Sequence, residues 1–504
     1  MTAPHPRFRR AMAVPVGMAM ATALAFLPNV TASAAEEAPA AEATSLSYVV
    51  NVSPGQGPSK HVKKAIAEAG GTIVTSYDQI GVIVVHSANP DFAKILRTVR
   101  GVESAGNTRN APLPAQSTTD VGTPKVLDAE DLADVQAAEG QDPLEPLQWD
   151  LPAIKADKAH EKSLGSSKVT VAVIDTGVDD THPDIAPNFD RAASVNCVTG
   201  KPDTTDGAWR PTTGESPHGT HVAGEIAAAK NGVGMTGVAP GVKVSGIKVS
   251  TTAGYFYTEA VVCGFVWAAE HGVDVTNNSY YTDPWYFNCK NDPDQKALVD
   301  AVSRASRYAE QKGAVNVAAA GNENYDLAAA EITDPVSPND VETPTERVID
   351  PSECYDIPTQ LPGVVTVAAT GAKGIKSSFS NHGLGVIDIA APGGDSTRFQ
   401  TPAPPATSGL ILGTLPGGGW GYMAGTSMAS PHVAGVAALI KSTHPKASPA
   451  LVKALLYAEA DATPCTDPYD IDGDGKVDAV CEGSKNYNGF YGWGTADALD
   501  AVTK

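Results

Sequence analysis

Short apolar runs alternate with longer apolar or amphipathic segments from residue 169 onward. The runs are rich in β-branched residues and are predicted to form buried strands at residues 169–174, 243–249, 273–277, 315–319 and 364–369. The intervening segments are predicted to be helices, among them residues 258–270, 296–312 and 427–443. Strands that alternate with helices predict an α/β fold, in which a doubly wound, mostly parallel sheet is covered on both faces.

A second pattern lies ahead of these strands, between residues 45 and 107. Strands are predicted at residues 45–52, 72–75, 82–86 and 102–107, and a first helix is predicted at residues 59–69. A second helix is predicted to have Asn89 as its N-cap and Pro90 as its first residue, and to end at Gly101. The order β-α-β-β-α-β predicts a small ferredoxin-like α+β domain.

The segment GTSMASPHVAG places Ser427 directly after a tight turn, at the start of an apolar helix. A helix N-terminus offers free N–H groups and a positive partial charge, which favour a serine that acts as a nucleophile. Most Gly-Thr-Ser segments are ordinary turns. The prediction therefore needs a base, an orienting acid and an oxyanion donor elsewhere in the chain.

Three other segments supply these groups. Asp175 ends the first predicted strand of the sheet, His218 opens the segment HGTHVAG, and Asn322 follows the strand at residues 315–319. Because ligands of doubly wound sheets collect at the carboxyl ends of the strands, we expect these side chains to meet at that edge. Taken singly, each one is more simply explained as a turn residue or a packed histidine.

The four motifs VIDTG, HGTHVAG, AAGN and GTSMASPHVAG resemble those of the subtilisin-like serine proteases, in the family's order, from about residue 148 to the end of the chain. The resemblance implies that Ser427 is the nucleophile, His218 the general base and Asp175 the orienting acid. It also implies that the Asn322 amide and the Ser427 N–H hold the oxyanion. The implied reaction hydrolyses protein or peptide substrates through an acyl-enzyme and uses no cofactor for catalysis.

The same resemblance implies a cleft in which two extended segments, one at Gly254 and one at residues 279–281, pair with the backbone of an extended substrate. The residues predicted to bind substrate are Gly254, Ser279, Tyr280, Tyr281, Gly321 and Glu323. Many relatives have leucine and a small residue where this chain has Tyr280 and Tyr281, so we expect the tyrosines to narrow the pockets. Glu323 is expected to favour basic side chains. The alternative is that the tyrosine rings lie flat at the rim and that Glu323 is solvated.

The N-terminal segment is predicted to be a signal peptide at residues 1–35, with basic residues at Arg7, Arg9 and Arg10 ahead of an apolar stretch. The alternative is an uncleaved membrane anchor, but the apolar stretch is short and rich in alanine. We therefore expect a secreted, extracellular protein with no stable membrane association.

The resemblance also gives the domain order. Residues 36–110 are expected to be an inhibitory propeptide domain that assists folding, blocks the cleft and is removed by self-cleavage. The alternative is an α+β module without this role. Residues 111–146 are acidic and are predicted to be an exposed linker with the maturation site, and residues 147–504 to be the peptidase domain.

Charge and cysteine content limit the partners and the compartment. The net charge of −21 argues against nucleic acid as a partner, and we expect a monomer.

All six cysteines lie in the peptidase region, and their even number suits disulfides in an oxidising compartment. Cys465 and Cys481 are the favoured pair because they bracket one compact loop, and the pairing of the other four stays open.

Calcium is the expected ion, in a structural role. The acidic loop at residues 470–478 places oxygen ligands at positions 1, 3, 5 and 9 of an EF-hand-like loop, but position 12 is Cys481. A solvated acidic turn is the alternative. The resemblance implies a second site at Asp184 and Asn231. The six predicted ligands are Asp184, Asn231, Asp470, Asp472, Asp474 and Asp478.

Three functions remain open on this sequence. The first is a broadly acting secreted endopeptidase, the second a narrow processing protease for peptide precursors, and the third a non-catalytic binding protein on the same fold. Two insertions, at residues 195–213 and 325–356, are predicted to be surface loops that shape the choice of partner. The intact set of catalytic motifs favours the first two functions.

Overall fold

The predicted α+β domain is present, and its two central strands are apolar on both faces. The computed structural model describes residues 45–55, 57–111, 123–128, 135–396, 400–465, 468–471 and 473–504. The elements of the small domain are β1 (Leu46–Val52), α1 (Lys60–Glu68), β2 (Gly71–Tyr77), β3 (Val82–Ser87), α2 (Phe92–Leu96) and β4 (Val102–Asn107). The strands form an antiparallel sheet in the order β2-β3-β1-β4, which confirms the ferredoxin-like arrangement.

The two faces of this sheet pack against different partners. Val50 and Ile83 point to α1 and α2 and form the small domain's own core. Val49, Val82 and Val84 point the other way and share a core with apolar residues of the peptidase region. Burial on both faces explains the nearly continuous apolar runs of β1 and β3.

The start of α2 differs from the prediction. Asn89 does not cap it, because the Asn89 side chain accepts the Asp91 N–H at 3.0 Å in a turn that precedes the helix. The helix begins at Phe92 and ends at Leu96.

The peptidase region contains the predicted parallel sheet. The strands that follow the small domain, in chain order, are β5 (Lys125–Val126), β6 (Thr170–Asp175), β7 (Val195–Asn196), β8 (Lys243–Lys248), β9 (Val275–Asn278), β10 (Asn288–Cys289), β11 (Val315–Ala319), β12 (Ile332–Asp334), β13 (Arg347–Ile349), β14 (Cys354–Tyr355), β15 (Val365–Thr370), β16 (Ile389–Pro392), β17 (Ile411–Leu415), β18 (Gly419–Met423), β19 (Gly483–Ser484) and β20 (Tyr487–Asn488). Within the described residues the main sheet has seven parallel strands in the order β16-β15-β11-β9-β6-β8-β7.

Helices cover both faces of this sheet. They are α3 (Asp150–Ala153), α4 (Ala156–His160), α5 (His218–Ala227), α6 (Thr258–Glu270), α7 (Pro293–Lys312), α8 (Thr426–Thr443), α9 (Pro449–Glu459) and α10 (Asp500–Thr503). One core joins the sheet to α5 and α8, and a second core joins its other face to α6 and α7. The doubly wound α/β fold is therefore confirmed. No helix among the described residues is long and apolar enough to cross a membrane.

The predicted exposed linker is correct only in part among the described residues of the segment 111–146: residues 136–141 are exposed, but other residues of the segment are held by the rest of the chain. Lys125 and Val126 pair with β18 as an edge strand. Further on, Leu144 is buried in an apolar cluster with Met235, and the buried Asp142 accepts the Gly232 N–H at 2.7 Å. These residues are therefore part of the folded body. Most of the rest of this segment, like the predicted signal peptide, lies outside the described residues.

The two predicted surface loops also form structure. In the first, β7 extends the edge of the main sheet, and Trp209 is buried with its indole N–H on Asp180. The second contains β12, β13 and β14, and four of its residues line the cavity described below.

Three disulfides stabilise the peptidase region. They join Cys197 to Cys263, Cys289 to Cys354 and Cys465 to Cys481. The last of these is the predicted pair, and the first two settle the pairing that the sequence left open.

Candidate active site

The acid and the base lie side by side because β6 ends at Asp175 and α5 begins at His218. The His218 Nδ1 lies 2.9 and 3.0 Å from the two carboxylate oxygens of Asp175, and both side chains are buried. Gly219 allows this approach, since a Cβ there would lie 2.5 Å from the Gly177 carbonyl oxygen. The contact fixes the imidazole ring with its Nδ1–H on the carboxylate.

The nucleophile candidate follows the predicted turn. Ser427 is the second residue of α8, is half-buried and faces a cavity. Its Oγ lies 3.4 Å from the Ser279 carbonyl oxygen, and the Ser279 hydroxyl donates to the Ser427 carbonyl at 3.1 Å. These two contacts join the start of α8 to the residue that follows β9.

The strand register connects the two halves of the site. Ile174 of β6 is paired with Asn278 of β9, so Asp175 and Ser279 lie next to each other at the carboxyl ends of neighbouring strands. Ser279 contacts Ser427, and Asp175 holds His218. The structure therefore brings the predicted acid, base and nucleophile to one edge of the sheet.

The hydrogen bond between the serine and the histidine is not formed in this structure. Within the described residues, the His218 Nε2 is buried and has no hydrogen-bond partner, while the Ser427 hydroxyl is directed to Ser279. Catalytic hydrogen bonds are often formed only in the substrate complex. The free Nε2 is the ring nitrogen that a general base needs.

The two other histidines of the four motifs have both ring nitrogens occupied. His221 contacts Glu225 at 2.7 Å and the Gly421 carbonyl at 3.1 Å, and His432 contacts the Met428 carbonyl at 2.7 Å and Asp150 at 3.1 Å. Burial lowers the pKa of His221 to about 3 and raises the pKa of Glu225 well above its usual range, so that pair is neutral. Their role is structural.

Asn322 is fixed in one orientation. Its Oδ1 accepts the backbone N–H and the hydroxyl of Thr426, at 2.8 and 2.9 Å, and the Thr426 hydroxyl in turn accepts the Gly321 N–H at 3.0 Å. The carbonyl side of the amide is therefore occupied, which leaves its NH₂ group to donate to another acceptor. The residue is exposed and lies beside Ser427 in the cavity lining.

A cavity of about 320 Å³ adjoins Ser427. It is lined by Ser279, Tyr280, Tyr281, Tyr286, Ala319, Gly321, Asn322, Glu323, Val336, Asn339, Pro344, Asp356, Thr426 and Ser427. All the predicted substrate residues except Gly254 are in this lining. The Gly254 N–H donates to the Thr251 carbonyl at 2.9 Å in a tight turn with a φ of 89° at Gly254. The prediction of an extended segment is therefore wrong at Gly254.

The tyrosines do not lie flat at the rim. Tyr280 is buried and stacks on Phe256 with ring centroids 4.6 Å apart, and its hydroxyl donates to Asn278 at 3.0 Å. Tyr281 packs at 4.7 Å from Tyr286, and the two rings form one wall of the cavity. The expectation that tyrosines narrow the pocket is consistent with this wall.

Glu323 lies in the cavity and is not simply a solvated side chain. Its Oε2 accepts the Asn322 N–H at 2.8 Å and the Tyr286 hydroxyl. A second carboxylate, that of Asp356, lines the same cavity. No sequence motif marks Asp356, because it lies in the insertion at residues 325–356.

The side-chain oxygens of Asp184 and Asn231 accept protein N–H groups, and calcium binding by these two residues stays a prediction. The Asp184 carboxylate accepts the Trp420 indole N–H at 2.8 Å, the Met235 N–H at 3.0 Å and the Asn231 side-chain N–H at 3.3 Å. The Asn231 Oδ1 accepts the Val233 N–H at 2.9 Å. The oxygens that calcium would need are bonded to protein donors.

The acidic loop is described only in part, since Asp472 lies outside the described residues. The Asp470 carboxylate accepts three backbone N–H groups of the loop, Asp474 pairs with Lys476 at 2.6 Å, and Asp478 accepts one backbone N–H. No group of three or more acidic, histidine or cysteine side chains converges among the described residues. Calcium binding by this loop stays a prediction.

The fold and this edge of the sheet define an α/β peptidase of the serine type. Residues 166–494 match the family model described as the subtilase family, peptidase S8, and the chain belongs to that family. It is a subtilisin-like serine protease.

Several curated relatives share about a third of the aligned residues. Subtilisin Savinase of Lederbergia lenta is 31% identical over 331 residues, which cover 66% of this chain and 96% of the relative. Subtilisin E of Bacillus subtilis (strain 168) is 32% identical over 312 residues, which cover 62% of this chain and 65% of the relative.

Solved structures extend the similarity of fold to the small domain's part of the chain. The epidermin leader peptide processing serine protease from Staphylococcus aureus matches with a TM-score of 0.65 and 24% identity, over 91% of this chain and 98% of that one. Fervidolysin from Fervidobacterium pennivorans, a keratinolytic enzyme, matches with a TM-score of 0.59 and 24% identity, over 93% and 62%. At this identity the likeness concerns the fold.

Proposed function

We propose that this protease is a secreted endopeptidase in which Asp175, His218 and Ser427 form the catalytic triad and Asn322 contributes to the oxyanion hole. The observation that carries the proposal is the buried Asp175–His218 pair, which leaves Nε2 unpartnered at the sheet edge where Ser427 lies. Family membership alone gives the reaction class, and this geometry supports the proposed roles.

The reaction begins when the Ser427 hydroxyl leaves the Ser279 carbonyl and donates to the His218 Nε2. As Oγ attacks the substrate carbonyl carbon, its proton moves to Nε2, and the imidazolium is stabilised by Asp175. The proton then passes to the leaving amine as the C–N bond breaks, which gives the acyl-enzyme. A water molecule then attacks the carbonyl carbon of this ester while His218 takes its proton. His218 returns the proton to the Ser427 Oγ as the ester bond breaks.

The charge that develops on the carbonyl oxygen requires donors. The Asn322 NH₂ group is the fixed side-chain donor, because Thr426 holds the other end of the amide. The second donor in the proposal is the Ser427 N–H at the start of α8, where helix N–H groups lack partners within the helix.

We also propose that the small domain inhibits the peptidase until it is removed. Its sheet packs on α6 and α7, with Asn51 donating to the Ala297 carbonyl at 2.9 Å and Ser104 donating to Asp300 at 2.7 Å. These contacts support an inhibitory complex within one chain.

The chain that leaves β4 is directed toward the cavity. Arg109 forms a buried ion pair with Glu259 and stacks over the Tyr257 ring at 4.4 Å. The next residue, Asn110, donates to Asp340 through its N–H at 2.6 Å and its side chain at 3.1 Å, beside a residue of the cavity lining. These two contacts place the end of the small domain beside the cleft, which supports an inhibitory role of this domain.

Two measurements test the proposed function. A serine-directed phosphonate should label the mature enzyme on Ser427, and the variant Ser427→Ala should neither react nor hydrolyse peptides. Mass spectrometry of the protein recovered from the culture medium should show the signal peptide and the small domain removed. Labelling of another residue, or absence of the protein from the medium, would contradict the corresponding part of the proposal.

Narrow processing activity is the second candidate. One observation favours it. The insertion at residues 325–356 contributes four residues to the cavity beside Ser427, so part of the pocket wall comes from outside the four catalytic motifs. These residues are Val336, Asn339, Pro344 and Asp356. Casein degradation separates the candidates. A broad endopeptidase gives many products, whereas a processing enzyme leaves casein nearly intact and cuts one site in a precursor.

A further inference from the structure

The cavity beside Ser427 is acidic and contains no cation. In the described part of the chain none of its lining residues is a lysine, arginine or histidine, yet Glu323 and Asp356 both contribute carboxylates. Buried negative charges in proteins are normally paired with a cation or saturated with hydrogen bonds. Asp356 is the buried acid of the two, so a cation for its carboxylate must come from outside the cavity lining, whereas Glu323 is exposed.

Asp356 is the carboxylate with unused bonding capacity. Its side chain is 2% exposed, and its Oδ1 is buried without a hydrogen-bond partner among the described residues. Burial, and then the negative charge of Glu323, raise the pKa of Asp356 well above its usual range. Glu323 differs, because it already accepts the Asn322 N–H and the Tyr286 hydroxyl.

The position of Asp356 is fixed by its neighbours. The disulfide from Cys289 to Cys354 ends two residues ahead of it, and β14 pairs with β10 at the same point. Its own N–H donates to the Gln360 side chain at 2.8 Å, and Thr359 donates to the carbonyl of Ala319, which also lines the cavity, at 2.9 Å. An acid held in this way acts as a preformed point of recognition.

The walls of the cavity suit a long cationic side chain. Tyr281, Tyr286, Val336 and Pro344 supply aromatic and aliphatic surface to the same lining as Ser427 and the two acids. Such surface packs against the methylene stem of arginine or lysine, and tyrosine faces attract a guanidinium group. The cavity opens beside both Ser427 and Asn322, where the carbonyl group of the bond to be cut must lie.

We propose that Asp356 binds the cationic side chain of the substrate residue whose carbonyl is attacked, so that this protease cleaves after arginine or lysine. The inference rests on the proposed function and names its substrate class. Asp356 is a specificity-determining residue in this proposal, and Glu323 adds a second negative charge to the same pocket.

The first test uses the unmodified mature enzyme. Peptides that differ only at the residue before the cleaved bond carry arginine, lysine or citrulline, the neutral isostere of arginine. We expect kcat/KM for the arginine peptide to exceed that for the citrulline peptide by about 100-fold, because the neutral group leaves the buried acid unpaired. Benzamidine should inhibit competitively, and its neutral analogue benzamide should not.

The second test uses the variants. Asp356→Asn should lower the arginine-to-citrulline ratio by tenfold or more, and Glu323→Gln should lower it less. Glu353→Gln is the matched control, because Glu353 is an exposed acid of the same loop outside the cavity lining; it should keep the ratio of the unmodified enzyme. If Asp356→Asn fails to fold, the ratio and the two inhibitors still test the substrate class on the unmodified enzyme; a high ratio that Glu323→Gln keeps supports Asp356 as the binding acid, and a ratio that Glu323→Gln abolishes overturns the role of Asp356.

The outcomes separate the two proposals. Hydrolysis that depends on Ser427 but shows a ratio below threefold, with equal effects of benzamidine and benzamide, overturns the role of Asp356 and leaves the proposed function intact. A high ratio that persists in Asp356→Asn also overturns it. Absence of any hydrolysis that depends on Ser427 contradicts the proposed function itself.

Discussion

Asp175 and Asp356 are both buried carboxylates close to Ser427, but their surroundings differ. Asp175 accepts the His218 Nδ1–H and the Thr176 N–H at 2.6 Å, so the chain itself satisfies the acid of the catalytic site. Asp356 keeps one oxygen without a partner in a cavity that holds no cation in its described lining. The comparison teaches that this chain satisfies the acid of the proposed triad with its own groups, whereas the acid of the proposed recognition pocket is left for the substrate to pair.

Removal of the nucleophile should have the largest effect. Ser427→Ala leaves Asp175 and His218 paired but takes away the atom that forms the acyl-enzyme, so we expect kcat to fall by about 10⁶-fold, as known for subtilisin. The unprocessed chain should accumulate at its full secreted mass in a host without other proteases. Ser442→Ala, near the other end of α8, is the control and should mature normally. Maturation of Ser427→Ala in such a host would disprove self-processing.

Asp175→Asn tests the acid whose hydrogen bonds are supplied by the chain itself. The amide keeps the shape of the side chain but cannot stabilise an imidazolium, so kcat should fall by about 10⁴-fold, as in the serine-protease case from which this magnitude is known. KM should change by less than threefold, because Asp175 is not part of the cavity lining. A loss below tenfold in kcat would show that the Asp175–His218 contact is structural only.

Asn322→Ala should have the next largest effect. It removes one donor to the oxyanion and should lower kcat by about 10²- to 10³-fold, the range known for this donor in subtilisin. The split between kcat and KM is the decisive readout, since a merely structural residue would change stability first. A large rise in KM with an unchanged kcat would place Asn322 in substrate binding instead.

Arg109→Ala tests the buried carboxylate of Glu259, whose cationic partner is a residue of the same chain. In the unprocessed Ser427→Ala protein, Glu259 is buried against Arg109, and loss of the guanidinium leaves that carboxylate unpaired. We expect added thermolysin to cut the chain between the small domain and the peptidase region about tenfold faster in the variant with Arg109→Ala than in the protein that keeps Arg109. Arg100→Ala, at an exposed position of the same domain, is the control and should not change the rate. Equal rates in all three proteins would argue against an anchoring role of Arg109.

The elements that could be predicted are those with strong local patterns. The helix at residues 258–270 and the strand at residues 315–319 have the predicted bounds, because apolar periodicity and strand-end polar residues mark them locally. The segments that carry Asp175 and Ser427 lie within one residue of the predicted bounds, since the strand is Thr170–Asp175 and the helix is Thr426–Thr443. Their meeting at one edge follows from the parallel order of the sheet.

The features that were missed depend on distant contacts. Asp356 reaches the cavity through the loop that the Cys289–Cys354 disulfide closes, a pairing that the sequence left open. Asp142 is buried because it binds backbone groups of the loop around Gly232, although its surroundings in the sequence are acidic. Neither contact leaves a periodic signal in the residues around it.

Calcium removal should have the smallest effect. It tests Asp184 and Asp470, whose surroundings differ from those of both Asp175 and Asp356. Asp184 is already satisfied by the Trp420 and Met235 N–H groups, whereas Asp470 belongs to an exposed loop that is rich in further acids. We therefore expect a chelator to lower the melting temperature of the mature enzyme by only a few degrees, because ligand removal costs RT ln(1 + [L]/Kd). Asp470→Asn should abolish this shift, and Asp184→Asn should keep it even if that variant is less stable overall. A shift that disappears in Asp184→Asn alone would place the ion at the Asp184 site and would require the present hydrogen bonds of Asp184 to rearrange. If the chelator does not change the melting temperature of the unmodified enzyme, both calcium sites are contradicted.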